Sequence, residues 1–428
     1  MKRIGIFYGW YVIIALLIIG LIASCVRYAL PVFIPSLLKD FSWTRTTVGF
    51  AFTINFWVSA IAAPLVGIFV DRLGGRFVTT IGGVSLLAST ILLSTITNVS
   101  QLYLYYGLIA GFGIGCTFYV PLTAITRKWF IKKAGLAVSI VLTGTGLGIA
   151  IAPPIARALI DTFGWRESFL WFGIPSGIIC ILVASIIIRN YPESVGLLPD
   201  GEVSSTSSTL LEGDSSDSAY ATMFREQSWG VKDALKTSSF WFLDLAYGLS
   251  WLGVIAAITH LITWAQDLQI DRVSASFALL FMGICSVLTR IVGGLLRDYF
   301  GGKVPIYISM IGMVAITLYA LKVDDTKSLY IFAIVAGMFY GIHVPIWTPL
   351  LGDLFGRKSV GTLMGFLSLS FGCISGSGPA IFGWIYDTYG TYNLGFIFSG
   401  VCYVVTMLLV FLIRPVRLND LKTFSKEV

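Results

Sequence analysis

Twelve apolar runs of about 20 residues each, separated by polar turns, account for most of the chain; they lie near 8–36, 47–70, 77–97, 101–126, 135–158, 167–188, 239–266, 273–296, 304–322, 328–350, 359–384 and 393–413. At ~1.5 Å of rise per helical residue, each can cross a hydrocarbon core ~30 Å thick. The pattern predicts an all-α membrane protein with twelve transmembrane helices and both chain ends on the same side. One polar stretch is much longer than the other turns. It runs from Arg189 to Ser238 and includes Ser204-Ser205-Thr206-Ser207-Ser208-Thr209 and Asp214-Ser215-Ser216-Asp217. Its composition is that of a linker, with a short interfacial helix expected around Trp229–Leu235. The expected organisation is a six-helix half over 1–189, a cytoplasmic linker over 190–238 and a second six-helix half over 239–428.

The turns repeat. Gly67-Ile68-Phe69-Val70-Asp71-Arg72-Leu73-Gly74-Gly75-Arg76 has the same skeleton as Gly294-Leu295-Leu296-Arg297-Asp298-Tyr299-Phe300-Gly301-Gly302-Lys303, 227 residues later. Val120-Pro121 recurs as Val344-Pro345 at 224, and Asp161-Thr162-Phe163-Gly164 as Asp387-Thr388-Tyr389-Gly390 at 226. Matched landmarks at half the chain length indicate duplication. Two pseudo-symmetric halves entering from the same side are parallel repeats, an arrangement found in transporters.

Charge adds orientation. Only 12% of the residues are charged and 56% are hydrophobic, too apolar for a water-soluble surface of this size. The +7 net charge could suggest nucleic acid, but the cations lie in short loops between apolar runs. With the termini inside, 20 Lys/Arg fall on that face and 6 on the other, with Arg27, Arg157 and Arg290 inside spans. The positive-inside rule makes the termini cytoplasmic, in a multi-pass protein of the cell (inner) membrane. All six cysteines lie in apolar runs without a CxxC pair, which argues against a disulfide framework or zinc site.

Several motifs carry a resemblance. The Gly67–Arg76 turn matches the loop between the second and third helices of the major facilitator superfamily. Trp129-Phe130-Ile131-Lys132-Lys133-Ala134-Gly135-Leu136-Ala137, continuing to Gly144, is similar to the monocarboxylate transporter signature entering the fifth helix, with Ser139 and Val141 where Gly and Ala are usual. Tyr8-Gly9-Trp10-Tyr11 resembles that family's opening motif without its acidic residue. Bacterial oxalate–formate exchangers share many of these features. The resemblance implies a major facilitator fold and a secondary transporter working by alternating access.

Arg290 is the first candidate for substrate binding. It lies eight residues before Asp298, about 12 Å into the membrane. An Arg at depth costs roughly 2.5–3.5 kcal/mol on insertion scales, so it faces a cavity or partner. Its planar fork matches a carboxylate, and the resemblance puts the family's substrate-binding Arg here. Arg27 is the second buried cation. It either supplies the charge of the family's missing Lys, whose position Val32 holds, or snorkels outward or pairs with Asp40 or Asp161. Tyr119 and Tyr340 are expected on the walls of the pathway, with Trp347 beside them. His260 and Asp244 are candidates for proton coupling or gating, against an ordinary cross-helix hydrogen bond for the histidine; His343 ranks below them. Asp71, Arg72, Arg76, Asp298 and Lys303, with Asp353, Arg357 and Lys358, would form a cytoplasmic latch. Arg157 and Asp161 are spaced for a helical ion pair.

Two departures from the family matter. Ser286 stands where proton-linked members carry an Asp, and Phe371 where the oxalate exchangers carry a Lys. The expected function is transport of a small monocarboxylate such as lactate or pyruvate, as symport with a proton and without a cofactor. The alternatives are an anion exchanger or dicarboxylate carrier using Arg27 with Arg290, and a transport-dead membrane sensor of carboxylates. An enzyme is disfavoured because no nucleophile–base pair, metal cluster or phosphate loop is evident. Gly144-Thr145-Gly146-Leu147-Gly148 lies in a span without a βαβ context.

Overall fold

The computed structural model describes residues 7–130, 134–198, 200, 230–355 and 360–414. The centre of the expected linker, Arg357 and Lys358 lie outside these residues, as do the side chains of Asp71 and Asp298. Among the described residues, eleven helices are long and apolar enough to cross a membrane. One of them, Ala137–Ile186, has 50 residues, roughly 75 Å of helix and too much for one crossing. It breaks at Gly164, where φ is +76°, and so makes two passes. The described spans are therefore Tyr8–Phe41, Arg45–Val70, Gly75–Ser94, Val99–Trp129, the two arms of Ala137–Ile186, Ser238–Asp267, Arg272–Arg297, Lys303–Ala320, Thr326–Phe355, Thr362–Tyr389 and Asn393–Leu412, numbered first to twelfth below.

Duplication is written into the backbone. Left-handed residues recur in pairs: Ser42 (φ +52°) with Gln269 (+59°), Gly74 (+89°) with Gly301 (+78°), and Gly164 (+76°) with Gly390 (+71°). Side chains other than glycine seldom adopt this region, so three such pairs at one spacing reflect two copies of one chain path. The interruptions match as well. The fourth span breaks at Phe118 (φ −106°, ψ −141°), and the tenth between Thr326–His343 and Trp347–Phe355. Pro121 and Pro345 follow or lie within these breaks, where proline withholds an N–H and crowds the carbonyl four residues back.

The halves meet along two seams. Along the first, the second span packs on the eleventh so closely that a Cβ on Gly372 would fall 2.0 Å from Ala60 Cβ. Along the other, a Cβ on Gly283 of the eighth span would fall 2.7 Å from Ala150 Cβ of the fifth. Small residues are what allow membrane helices to approach this closely. The first and twelfth spans bring both ends of the described chain to one face, called here the terminal face. At that face Lys303 Nζ donates to the Ile413 carbonyl at 2.6 Å.

Candidate functional site

Two buried guanidiniums mark the region between the seams, and one of them crosses from half to half. Arg290, on the eighth span, reaches across to the fifth, where its Nη1 donates to the Leu142 carbonyl at 3.2 Å. Gly146, one turn on, leaves it room: a Cβ there would lie 3.1 Å from Nη2. Arg290 Nε, on the same edge of the fork as Nη2, is buried without a hydrogen-bond partner. The phenols of Tyr340 and Tyr28 are the polar groups facing the guanidinium. Tyr340, fully buried, donates to Ser286 Oγ at 2.7 Å. Among the described residues no carboxylate pairs with Arg290.

Arg27 is 2% exposed, so it does not snorkel. Its partners are neutral: Nε donates to Asn55 Oδ1 at 3.1 Å and Nη2 to Ser59 Oγ at 2.7 Å. Its guanidinium lies 4.2 Å from the Phe56 ring centroid and 5.3 Å from that of Phe118. The carboxylates considered for it are engaged elsewhere, Asp40 by Trp165 Nε1 at 2.7 Å and Asp161 by Arg157 Nε at 2.7 Å. A π-helical stretch, Tyr103–Ala110, supports the arrangement. Its wide turns leave carbonyls unpaired, and Asn55 Nδ2 donates to that of Tyr106 at 2.8 Å, while the Tyr106 hydroxyl donates to the Arg27 carbonyl at 2.8 Å. Tyr28 faces both arginines and Tyr340, which makes it the polar link between the two cations.

Aromatic rings pack together on the side of the second half. Tyr247 lies 5.3 Å from Trp347 and 5.5 Å from Phe371, Trp251 lies 5.9 Å from Tyr340, and Phe371 meets Phe56 of the first half at 5.9 Å. Tyr119 joins this wall and crosses the interface, its hydroxyl 3.3 Å from Thr348 Oγ1. The structure thus gathers Arg290, Arg27 and Tyr340 around Tyr28, and sets Tyr119 in the aromatic wall against Thr348. The sequence reading missed Tyr28, Asn55, Ser59, Tyr247 and Trp251. Asn55 and Ser59 were findable, as two polar residues one helical turn apart inside an apolar run.

Other candidates fall elsewhere. His260 is 2% exposed and bonded on both sides, Nε2 to the Pro379 carbonyl at 2.8 Å and Nδ1 to the Tyr392 hydroxyl at 3.1 Å. The carbonyl can only accept, so Nε2 carries the proton and Nδ1 accepts from Tyr392. Asp244, 4% exposed, accepts from Ser370 Oγ at 2.5 Å, and no cation faces it among the described residues. The expected terminal-face latch does not join the halves through its described members. Arg72 is exposed, the Arg76 backbone N–H donates to Asn190 Oδ1 at 3.0 Å, and Lys303 is held by Ile413. Arg297 pairs with Asp353 at 3.1 Å inside the second half. Among the described residues, a charged link between the halves lies at the opposite face. There Arg45 grips Asp267 through Nη1 and Nη2, both at 2.6 Å, and stacks 3.5 Å from the Tyr386 ring centroid. Asp387 accepts the backbone N–H groups of Arg45 and Thr46 at 3.1 and 2.7 Å.

Two like halves around buried arginines that no described carboxylate pairs invite comparison with known carriers. A family model described as Major Facilitator Superfamily matches residues 16–326 and, in a second match, 243–427. The chain belongs to the major facilitator superfamily. Within that superfamily it is similar to monocarboxylate transporters. It is 22% identical over 417 residues to Monocarboxylate transporter 12 of Xenopus laevis, covering 96% of this chain and 89% of that protein. It is 26% identical over 431 residues to Monocarboxylate transporter 2 of Homo sapiens, covering 98% and 88%. A third relative, Monocarboxylate transporter 10 of Homo sapiens, is 24% identical over 359 residues, covering 81% and 66%. The superfamily membership accounts for the twelve spans, the paired glycine turns and the parallel repeat, and makes this a multi-pass membrane protein of a transporter family.

Proposed function

We propose that this superfamily member carries a small monocarboxylate, lactate- or pyruvate-like, across the cell membrane together with a proton. The observation that carries the reading is the Arg290 fork. It crosses from one half to the other, its Nε lacks a partner, and no protein carboxylate neutralises it among the described residues. A carboxylate fits such an edge with two parallel N–H···O bonds, and the Tyr340 and Tyr28 phenols supply further polar contact. The aromatic wall of Tyr247, Trp347, Phe371 and Tyr119 suits a short carbon tail. The names of the similar transporters point to the same substrate class. Moving anion and proton together avoids work against the membrane potential, ~2.3 kcal/mol per charge per 100 mV.

In this reading the halves 1–189 and 239–428 rock about the site, with the linker between them. The termini are cytoplasmic, as 20 Lys/Arg against 6 suggest. The Arg45–Asp267 clamp then holds the outer face shut. A second reading rests on Arg27, which also has only neutral partners: two buried cations without a paired carboxylate among the described residues suit an exchanger of short dicarboxylates. Thermal stabilisation of the purified protein by lactate, pyruvate, malonate and oxalate, with Arg290→Ala as control, separates these. Stabilisation by the monoacids that vanishes in Arg290→Ala supports the first reading, stabilisation by the diacids alone supports the second, and stabilisation that survives the substitution removes Arg290 from the site.

A further inference from the structure

His343 ends the first segment of the broken tenth span and is fully buried. Its Nδ1 lies 2.9 Å from Ser309 Oγ, and that hydroxyl donates its single proton to the Phe339 carbonyl at 2.6 Å. The serine oxygen can therefore only accept from the imidazole, so Nδ1 carries the proton of the neutral ring. The other nitrogen, Nε2, is left as a lone pair, and it is buried without a partner. His260 differs on this point, with both nitrogens bonded.

The same stretch of backbone ties His343 to Arg290. A Cβ on Gly293, three residues past Arg290, would fall 2.1 Å from the Ile342 carbonyl oxygen, and one on Gly341 would meet Thr289 Oγ1 at 2.2 Å. The eighth and tenth spans touch backbone to backbone at this level. Arg290 is the charged group facing His343. From the ninth span it meets Ser309, from the seventh the Trp251 ring at 5.1 Å, and along its own span Trp347 at 6.2 Å. Among the described residues no acid pairs with it.

We propose that His343 Nε2 is the site that takes up the co-transported proton, an inference that rests on Arg290 binding the carboxylate. While Arg290 is bare, its charge repels a proton on the imidazole. A carboxylate on Arg290 cancels that repulsion and adds an attraction, so anion and proton load together, each strengthening the other by the same factor. The proton enters as H⁺ on the Nε2 lone pair and leaves from it when the acid departs. Acid and proton sum to zero charge. The position filled by Ser286 then needs no acid.

The experiment measures proton uptake by the purified full-length protein in weak buffer when lactate is added, with the pH dependence of lactate affinity. Wild type is expected to take up one proton per lactate, and its apparent Kd for lactate should rise about tenfold per pH unit on the alkaline limb. His343→Gln should bind lactate with no proton uptake and a flat pH profile, and should keep lactate counterflow while losing accumulation driven by a pH gradient. Ser309→Ala keeps the imidazole but releases its tautomer, and should shift the pH midpoint of coupling. Lactate binding with undiminished proton uptake in His343→Gln overturns the proposal while leaving the Arg290 reading intact. No lactate binding by wild type overturns that reading and this inference with it.

Discussion

The clamp at the face away from the termini makes the firmest quantitative prediction. Arg45 holds Asp267 with two bonds of 2.6 Å, donates to the Tyr392 hydroxyl at 2.8 Å and lies over Tyr386. Its side chain is 14% exposed and that of Asp267 28%, so the pair is worth more than a fully solvated one but is partly screened. Hydrogen bonds between charged groups contribute about 1.5–3 kcal/mol, and a half-desolvated cation–π contact roughly 0.5–1 kcal/mol. After discounting for exposure, about 2 kcal/mol is at stake. All of it is lost when this face opens, because Arg45 and Asp267 belong to different halves. Arg45→Ala should therefore lower the ratio of closed to open molecules ~30-fold. Pulsed electron resonance between spin labels on Ser42→Cys and Thr388→Cys, in a background with Cys373 and Cys285 replaced by Ser, reads the separation of the halves. A new long-distance population is expected in Arg45→Ala and in Asp267→Asn. Unchanged distance distributions in both variants would refute it.

Three further outcomes are expected. Gly372→Val forces a side chain into Ala60, from which even a Cβ would be only 2.0 Å away, so in the same distance measurement it should open that face and slow transport; a wild-type distribution would show that the seam tolerates the volume. Arg27→Gln removes a charge bound to Asn55 and Ser59, and should weaken malonate binding at least tenfold if the dicarboxylate reading holds while leaving lactate binding within about threefold; titration by thermal shift checks both. Asp271 and Asp325 cap helices outside the membrane, accepting the amides of Ser274 and Ser328 at 2.9 and 2.7 Å, and hydrogen bonds from these serines (side chain then amide at Ser274, amide then side chain at Ser328) hold both carboxyls below their ordinary value. Their stabilisation is complete above about pH 4, the unfolded value, and is lost as pH falls through the lowered folded values, so Asp271→Ala and Asp325→Ala should flatten the acid limb of a thermal-stability profile recorded from pH 7 to pH 3.

Much of the fold is legible in local pattern, because lipid forces each crossing into a long apolar helix. The left-handed turns at Gly74 and Gly301 and at Gly164 and Gly390 fall at repeats visible in the sequence. Arg290 is conspicuous as a charge inside a span, eight residues before Asp298. What escaped the sequence is which face each helix turns to the other half. Arg27 looked able to reach Asp40 or Asp161, yet its side chain points inward to Asn55 and Ser59. Charge density at the glycine-aspartate turns says nothing about which residues face each other across the halves, and that is what the Arg45–Asp267 link depends on. A signal for it existed: Asp40 and Arg45 recur as Asp267 and Arg272 at the 227-residue spacing, and the clamp pairs Arg45 of one copy with the Asp of the other. His343 ranked below His260 because its distinguishing feature depends on Ser309, a hydrogen bond between neighbouring spans.

The most direct measurement is uptake of labelled lactate into proteoliposomes under an inward proton gradient, comparing wild type with Arg290→Ala reconstituted at equal density. Truncating one partner of a desolvated charge pair costs about 2–5 kcal/mol, so the variant should take up lactate at least ~30-fold more slowly while wild type accumulates it. Accumulation by Arg290→Ala at the wild-type rate would contradict the account, since the carboxylate would then be bound somewhere else.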